Sequence, residues 1–200
     1  ALTMANGGSG VLLSGVPGVA PGRVSILGGG VVGSNAARIA VGMGADVTLL
    51  DRDSARLRHL EEVFGASLKT RYSEMDAIES SVREADLVVG AVLLPGKHAP
   101  KLISRALLQS MRPGSVLVDV SIDQGGCFET SRPCTHDDPV YLEEDVVHSA
   151  ITNLPSAVSR TASISLSGAI WKYVIDLAKG VNSSGLESGL NIQNKKFNII

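Results

Sequence analysis

Apolar and polar positions change along this chain in blocks whose period alternates between two kinds. Residues 24–27 (V-S-I-L) leave little room for solvent-facing side chains, as a strand buried on both faces of a parallel sheet requires. A helix-compatible stretch over 31–43 follows, with Ala36, Ala37, Ile39 and Ala40. Residues 46–51 (D-V-T-L-L-D) form a second β-branched and apolar run. Together these predict a β-α-β unit of 28 residues. The alternation continues. Leu57, Leu60 and Phe64 mark an amphipathic helix over 53–64, residues 67–71 a short third strand, and Ile78 with Val82 a helix over 74–84. Residues 87–93 (L-V-V-G-A-V-L) read as a fourth strand stopped by Pro95-Gly96. A helix is expected over 104–111 with Ser104 as its cap, then a fifth strand over 115–120 and a loop over 123–139. A sixth strand is expected over 146–151, then a long helix over 157–178 with Gly168 as a potential break.

Strands alternating with helices predict an α/β fold, a Rossmann-type, doubly wound, mostly parallel sheet with a C-terminal helical segment. The predicted division is an extended lead-in over 1–22, a Rossmann domain over 23–156, and a long helix with its tail over 157–200. The lead-in is too rich in Gly and Pro for a helix or a central strand. Residues 1–4 match no complete element and read as a cut end. In open α/β sheets ligands bind beyond the carboxyl ends of the strands. The positions to inspect are therefore 28–33, 51, 73, 92–96, 121–126 and 152–155.

Composition narrows the classes. Hydrophobic residues at 44% of 200 residues support a sizeable core and exclude wholesale disorder. A net charge of −2 without a basic stripe argues against nucleic acid as a partner. No run of about 20 apolar residues predicts a transmembrane helix. Cys127 and Cys134 are too few and too isolated for a disulfide scaffold or a metal site, and suit a reducing cytoplasm. His59, His98, His136 and His148 show no metal-ligand spacing and read as surface or packing residues. Ser34, Ser121 and Ser163 lack the strained turn of a serine hydrolase.

Gly28-Gly29-Gly30-Val31-Val32-Gly33 matches G-x-G-x-x-G, follows a strand, opens a helix and precedes an acidic residue ending the next strand. Gly28 permits the tight turn, Gly30 lets a pyrophosphate approach the backbone, and Gly33 lets helix and strand pack closely. The free amides and positive helix end then face the phosphates. Asp51 lies 21 residues after Gly30, placed to accept from the adenosine ribose hydroxyls, which favours NAD over NADP. Arg52 and Arg56 argue the other way, because an arginine can pair with a 2′-phosphate. Asp123 leaves the fifth strand where a substrate would meet the nicotinamide, although on its own it reads equally well as a loop residue. Asp119, inside the strand, reads as structural. Asn153 follows the sixth strand, as a ligand contact or as a turn residue before Pro155.

One ordered set of strings adds to this. It runs Gly7-Gly8-Ser9-Gly10-Val11-Leu12, Gly15-Val16-Pro17-Gly18-Val19, the glycine fingerprint, Gly90-Ala91-Val92-Leu93-Leu94-Pro95-Gly96 with Ala99-Pro100-Lys101-Leu102, Asp123-Gln124-Gly125-Gly126-Cys127, and Asn153-Leu154-Pro155 with Ala157-Val158. Over residues 6–192 this set closely resembles the NAD-binding domain of the L-alanine dehydrogenase family. It is also similar to the NAD-binding subunit of proton-translocating transhydrogenase, which typically lacks an aspartate at the position of Asp123. A non-catalytic NAD(H)-binding module of that second type is the alternative reading.

The resemblance implies NAD as cofactor and reversible oxidative deamination of L-alanine to pyruvate and ammonium. It implies Asp51 on the adenosine ribose, Arg56 and Ser73 near the adenosine, and Val31 and Val32 with Gly28, Gly30 and Gly33 along the pyrophosphate. Val92 and Leu93 would contact the cofactor through their main chain, and Arg132 would lie at the nicotinamide rim. Val120, Ser121, Ile122 and Asp123, with Ile151, Thr152, Asn153 and Leu154, would line the nicotinamide, and Asp123 would be the catalytic carboxylate. Leu154 stands where the family usually has Met. The family carries a further domain with an Arg, a Lys and a catalytic His, which no segment here matches. Residues 157–200 are thus expected to be a remnant of the substrate-domain side, and the chain to bind NAD(H) yet turn over alanine poorly. A cytoplasmic homo-oligomer is implied for the full-length form.

Overall fold

The computed structural model describes residues 1–94 and 98–190, and the backbone of 192–193 and 196–197; the predicted stop at Pro95-Gly96 lies outside the described residues. Strand β1 (Arg23–Leu27) runs through the interior of a seven-stranded sheet. It pairs in parallel with β2 (Asp46–Asp51) on one side and β4 (Leu87–Gly90) on the other. Beyond β2 lies β3 (Lys69–Tyr72), and beyond β4 lie β5 (Val116–Asp119) and β7 (Val146–Ser149), all parallel. A short antiparallel strand β6 (Tyr141–Glu143) closes that edge. The order β3-β2-β1-β4-β5-β7-β6 makes the chain reverse its direction of travel between β1 and β4. A crevice opens at such a switch point, beyond Leu27 and Gly90.

Alternation along the strands builds two core layers. Val24, Ile26, Val47 and Leu49 face one side, packed with Ala37 and Ala40 of helix α1 (Val31–Gly42) and Leu60 of α2 (Ser54–Phe64). Leu27 and Leu50 face the other, packed with Ile78 and Val82 of α3 (Met75–Glu84) and Leu107 and Leu108 of α4 (Arg105–Leu108). Caps fix where these helices begin. Asp53 accepts the N–H groups of Ala55 (2.9 Å) and Arg56 (3.2 Å), and Ser104 accepts that of Leu107 at 3.2 Å. Residues 1–22 pack on the same body, with Leu13 in the core and the Ser9 N–H on the Gly114 carbonyl at 2.9 Å.

Several boundaries differ from the sequence reading. Strand β4 stops at Gly90, not at 93, because Cys127 and Phe128 cross there, and a Cβ on Gly90 would stand 2.3 Å from the Cys127 sulfur. β7 stops at Ser149, and Ile151 instead bridges to Cys134. β6 was not foreseen. Its turn is Glu144-Asp145, at φ of 51° and 59°, which carries none of the Gly or Asn expected at left-handed turn positions. The 104–111 helix is a single turn, and residues 122–124 form a 3₁₀ turn at the start of the expected loop.

Two compact units are present, Ala1–Thr152 and Asn153–Ile200. The second holds a 3₁₀ turn (Leu154–Val158), α5 (Ser159–Ala178) and α6 (Ser184–Ser188). Gly168 does not break α5, and Ile164, Leu166, Trp171 and Leu177 on that helix are exposed. Among the described residues no helix is long and apolar enough to cross a membrane.

Candidate functional site

The crevice starts at the glycine turn. Gly28 has φ +102°, and a Cβ there would stand 2.7 Å from the Ala91 carbonyl oxygen. A Cβ on Gly33 would stand 1.8 Å from the Gly28 carbonyl oxygen, so α1 can lie on β1 only with hydrogen at that position. Gly30 differs: a Cβ there would meet nothing within 4 Å. It opens onto free space as the N-cap of α1, and no side chain caps the helix. The N-cap thus leaves the first-turn amides uncapped, and the positive end of the helix dipole lies with them.

Asp51, the last residue of β2, faces this turn. One of its carboxylate oxygens accepts the Gly29 N–H at 2.5 Å and the other that of Asp53 at 2.8 Å. Arg56 donates from Nε to the Gly29 carbonyl at 2.5 Å and from Nη2 to Ser34 Oγ at 3.4 Å. The Ser73 N–H donates to the Asp51 carbonyl at 2.9 Å. Asp51 and Arg56 are thus gathered at the glycine fingerprint, and Ser73 is bonded to Asp51.

Across the switch point lies a cleft of about 260 Å³. Val32, Val92, Leu93, Val120, Ser121 and Asp123, all assigned to the site from sequence, line it together with Ala91 and Gln124, which were given no role there. The Ser121 hydroxyl donates to the Val92 carbonyl at 2.7 Å and ties its two walls together.

Two charged groups hold the loop that carries Asp123. Asp119, fully buried, accepts the N–H groups of Ser121 (2.9 Å) and Cys127 (2.8 Å) and the hydroxyl of Ser131. Lys101 donates to the carbonyls of Gly125 (2.6 Å), Gly126 (2.9 Å) and Phe128 (3.1 Å). That saturates the three donors of an ammonium. Burial first, and then the Asp119 charge, push the Cys127 thiol far up, so it stays protonated and unreactive.

The remaining predicted residues are held as follows. Ile122 is buried beside Cys134 and Ala150, so only its main chain is available to a ligand. The Arg132 guanidinium lies over the Tyr141 ring at 3.8 Å, and Arg132 does not line the cleft. Ile151 and Thr152 are tied to Cys134, with the Thr152 N–H on its carbonyl at 3.2 Å. Asn153, at φ 49°, and Leu154 begin the second unit, where Asn153 precedes the 3₁₀ turn. His148 is buried, stacked on Tyr141 with centroids 4.9 Å apart, and paired with Thr130 Oγ1 at 2.8 Å. Among the described residues no group of three His, Cys, Asp or Glu side chains is placed to hold a metal ion.

A doubly wound parallel sheet, a G-x-G-x-x-G turn at its switch point and an acidic residue closing β2 define a Rossmann-class domain. The family model described as alanine dehydrogenase/PNT, C-terminal domain, matches residues 1–197, and the chain belongs to that family. Alanine dehydrogenase of Halomonas elongata is 52% identical over 202 residues, covering 98% of this chain and 54% of that protein. Alanine dehydrogenase of Bacillus subtilis is 49% identical over 195 residues, covering 94% of this chain and 52% of that one. A solved L-alanine dehydrogenase superimposes with a TM-score of 0.87 at 47% identity, covering 98% of this chain and 56% of its own. A transhydrogenase from Sinorhizobium meliloti gives 0.65 at 27% identity, covering 73% and 41%. The chain spans about half the length of the curated relatives it matches.

Proposed function

We propose that this domain binds NAD(H) across its switch point and serves an alanine dehydrogenase. The observation that carries the reading is Asp51, whose carboxylate is fixed on the Gly29 amide beside the open space over Gly30. A dinucleotide fits what the residues offer: uncapped first-turn amides for the diphosphate and a carboxylate at the sugar position. The cleft beyond has mostly apolar walls suited to the face of a nicotinamide ring. Arg56 is engaged with the Gly29 carbonyl, and the Asp51 charge would repel a 2′-phosphate, which supports NAD over NADP.

In the reaction proposed, L-alanine, NAD⁺ and water give pyruvate, ammonium, NADH and a proton. NAD⁺ supplies the acceptor for the hydride leaving the alanine Cα, and water then adds to the resulting imine. Asp123 lines the cleft on a loop held from both sides by Asp119 and Lys101. Its role would be to face the positive charge that grows on the substrate nitrogen and to orient the water or ammonia. Because the chain matches about half of each relative, the reaction is assigned to a protein that contains this domain. Pairing of copies, as a homo-oligomer, belongs to the same proposal; the exposed apolar side chains of α5 support it.

The test is Asp123→Asn in that protein, followed by NADH formation from L-alanine. The reading expects a fall of about 10²–10⁴-fold with NADH affinity unchanged. An unaltered rate would remove Asp123 from the chemistry, and a protein that forms no NADH from L-alanine even without the substitution would leave the transhydrogenase-like, purely NAD(H)-binding reading in its place.

A further inference from the structure

We infer that Gln124 reads the cofactor's carboxamide: its side-chain oxygen accepts a hydrogen bond from the amide N–H₂ of the nicotinamide. This rests on the NAD(H) reading above and adds a residue that selects between dinucleotides by the substituent on their ring.

Gln124 lines the same cleft as Asp123, together with Val92, Leu93 and Ser121. Its Oε1 is buried and has no hydrogen-bond partner among the described residues. A buried acceptor without a donor is costly, and such atoms are uncommon in folded proteins. The cost is removed when the side chain turns its oxygen into the cleft, toward a ligand that brings the donor. The backbone holds the residue in place: its N–H donates to the Ser121 carbonyl at 2.9 Å, and its carbonyl accepts the Ala99 N–H at 3.0 Å. Lys101 fixes the next two carbonyls, of Gly125 and Gly126. The backbone that carries the orphaned oxygen is therefore tied, and only the side chain has to turn.

The chemistry of the donor follows from the surroundings. Val32, Ala91, Val92, Leu93 and Val120 present apolar surface, which suits a neutral planar ring. A cationic nitrogen would be drawn to the Asp123 carboxylate rather than to a neutral amide. A neutral N–H on a flat ring is what remains for Gln124, and the nicotinamide carboxamide supplies it.

The experiment uses the 200-residue chain and calorimetry with three ligands: NAD⁺, 3-acetylpyridine adenine dinucleotide and ADP-ribose. The acetyl analogue carries a methyl where NAD⁺ has the amide nitrogen, so it cannot donate. The wild-type chain should bind NAD⁺ about three- to tenfold more tightly than the analogue, as for one net hydrogen bond. Gln124→Leu should abolish that preference and leave ADP-ribose affinity unchanged. Gln124→Asn, with a shorter side chain, should retain part of it. Equal affinity of the wild type for NAD⁺ and the analogue, or an undiminished preference in Gln124→Leu, overturns the assignment. So does a parallel loss of ADP-ribose binding in both variants, which would mark Gln124 as a prop for the loop. If ADP-ribose and NAD⁺ both fail to bind the folded wild type, the NAD(H) reading itself falls, a result separable from the others.

Discussion

Asp51 and Arg56 hold residue 29 by both of its polar groups: Asp51 accepts the Gly29 N–H at 2.5 Å, and Arg56 donates to the Gly29 carbonyl at 2.5 Å. The acidic residue ending β2 is thus part of the glycine turn before any ligand arrives. Replacing Asp51 by Asn keeps its shape and removes its charge. Asp51→Asn should weaken NADH binding about tenfold or more, since bonds to charged groups contribute about 1.5–3 kcal/mol. NADPH should gain little, because Arg56 is committed to Gly29. Fluorescence titration with both reduced cofactors checks this; strong NADPH binding by the variant would show that Arg56 can turn outward.

Two glycines of the fingerprint separate fold from function. Gly33→Ala drives a Cβ to 1.8 Å from a carbonyl oxygen, and α1 must move away from β1. Stability should fall by roughly 2–3 kcal/mol, the scale of overpacking a tight site. Gly30→Ala meets nothing within 4 Å, so urea unfolding should be unchanged within about 0.5 kcal/mol. NADH affinity should nevertheless drop about tenfold or more, since the methyl occupies the diphosphate's approach. Equal stability losses in the two variants would count against this division.

The alternation of buried runs with amphipathic stretches was enough to read the sheet, because parallel strands covered on both faces leave predominantly apolar segments at 24–27 and 47–50. The same rule overran at 87–93, where Ala91, Val92 and Leu93 are apolar because they wall a cleft, not because they belong to a strand. Strand β6 was hidden by a turn built from Glu144 and Asp145. In the site, Gly28, Gly33 and Asp51 were legible because backbone geometry demands those residue types at that spacing. Asp119 was legible as structural from its place inside the strand, whereas Gln124 and Lys101 were not legible, since their roles depend on which loops meet after β4 and β5. The D-Q-G-G string held the only local signal for Gln124. Arg132 was placed by resemblance alone, and its aromatic partner Tyr141 sits on the unforeseen strand.

Lys101→Met removes three donors from the loop bearing Asp123. Lys101 is exposed, so water can replace part of the loss, and the global cost should be only about 1 kcal/mol. The effect should be local: amide exchange over 121–128 should accelerate while the 28–34 region keeps its protection. Uniform acceleration across the domain would contradict a clamp confined to this loop.

His148 links stability to pH. Burial holds its pKa below the ordinary 6.5, against a smaller opposite pull from the Val146 carbonyl. The unfolded chain therefore binds a proton that the folded one refuses, and stability is full above 6.5 and lost as pH falls from there toward the lowered value. Thermal melts of the wild type should drop across that window. A His148→Gln variant, less stable overall because the stack on Tyr141 is lost, should show a shallower pH slope. Identical slopes would remove His148 from the explanation.

The central claim is a dinucleotide seated on the turn at 28–33 with its sugar on Asp51. Calorimetric titration of the folded chain with NADH tests it most directly. The account predicts saturable one-to-one binding that Gly30→Ala weakens without loss of fold; absence of heat and of saturation on folded protein would contradict it.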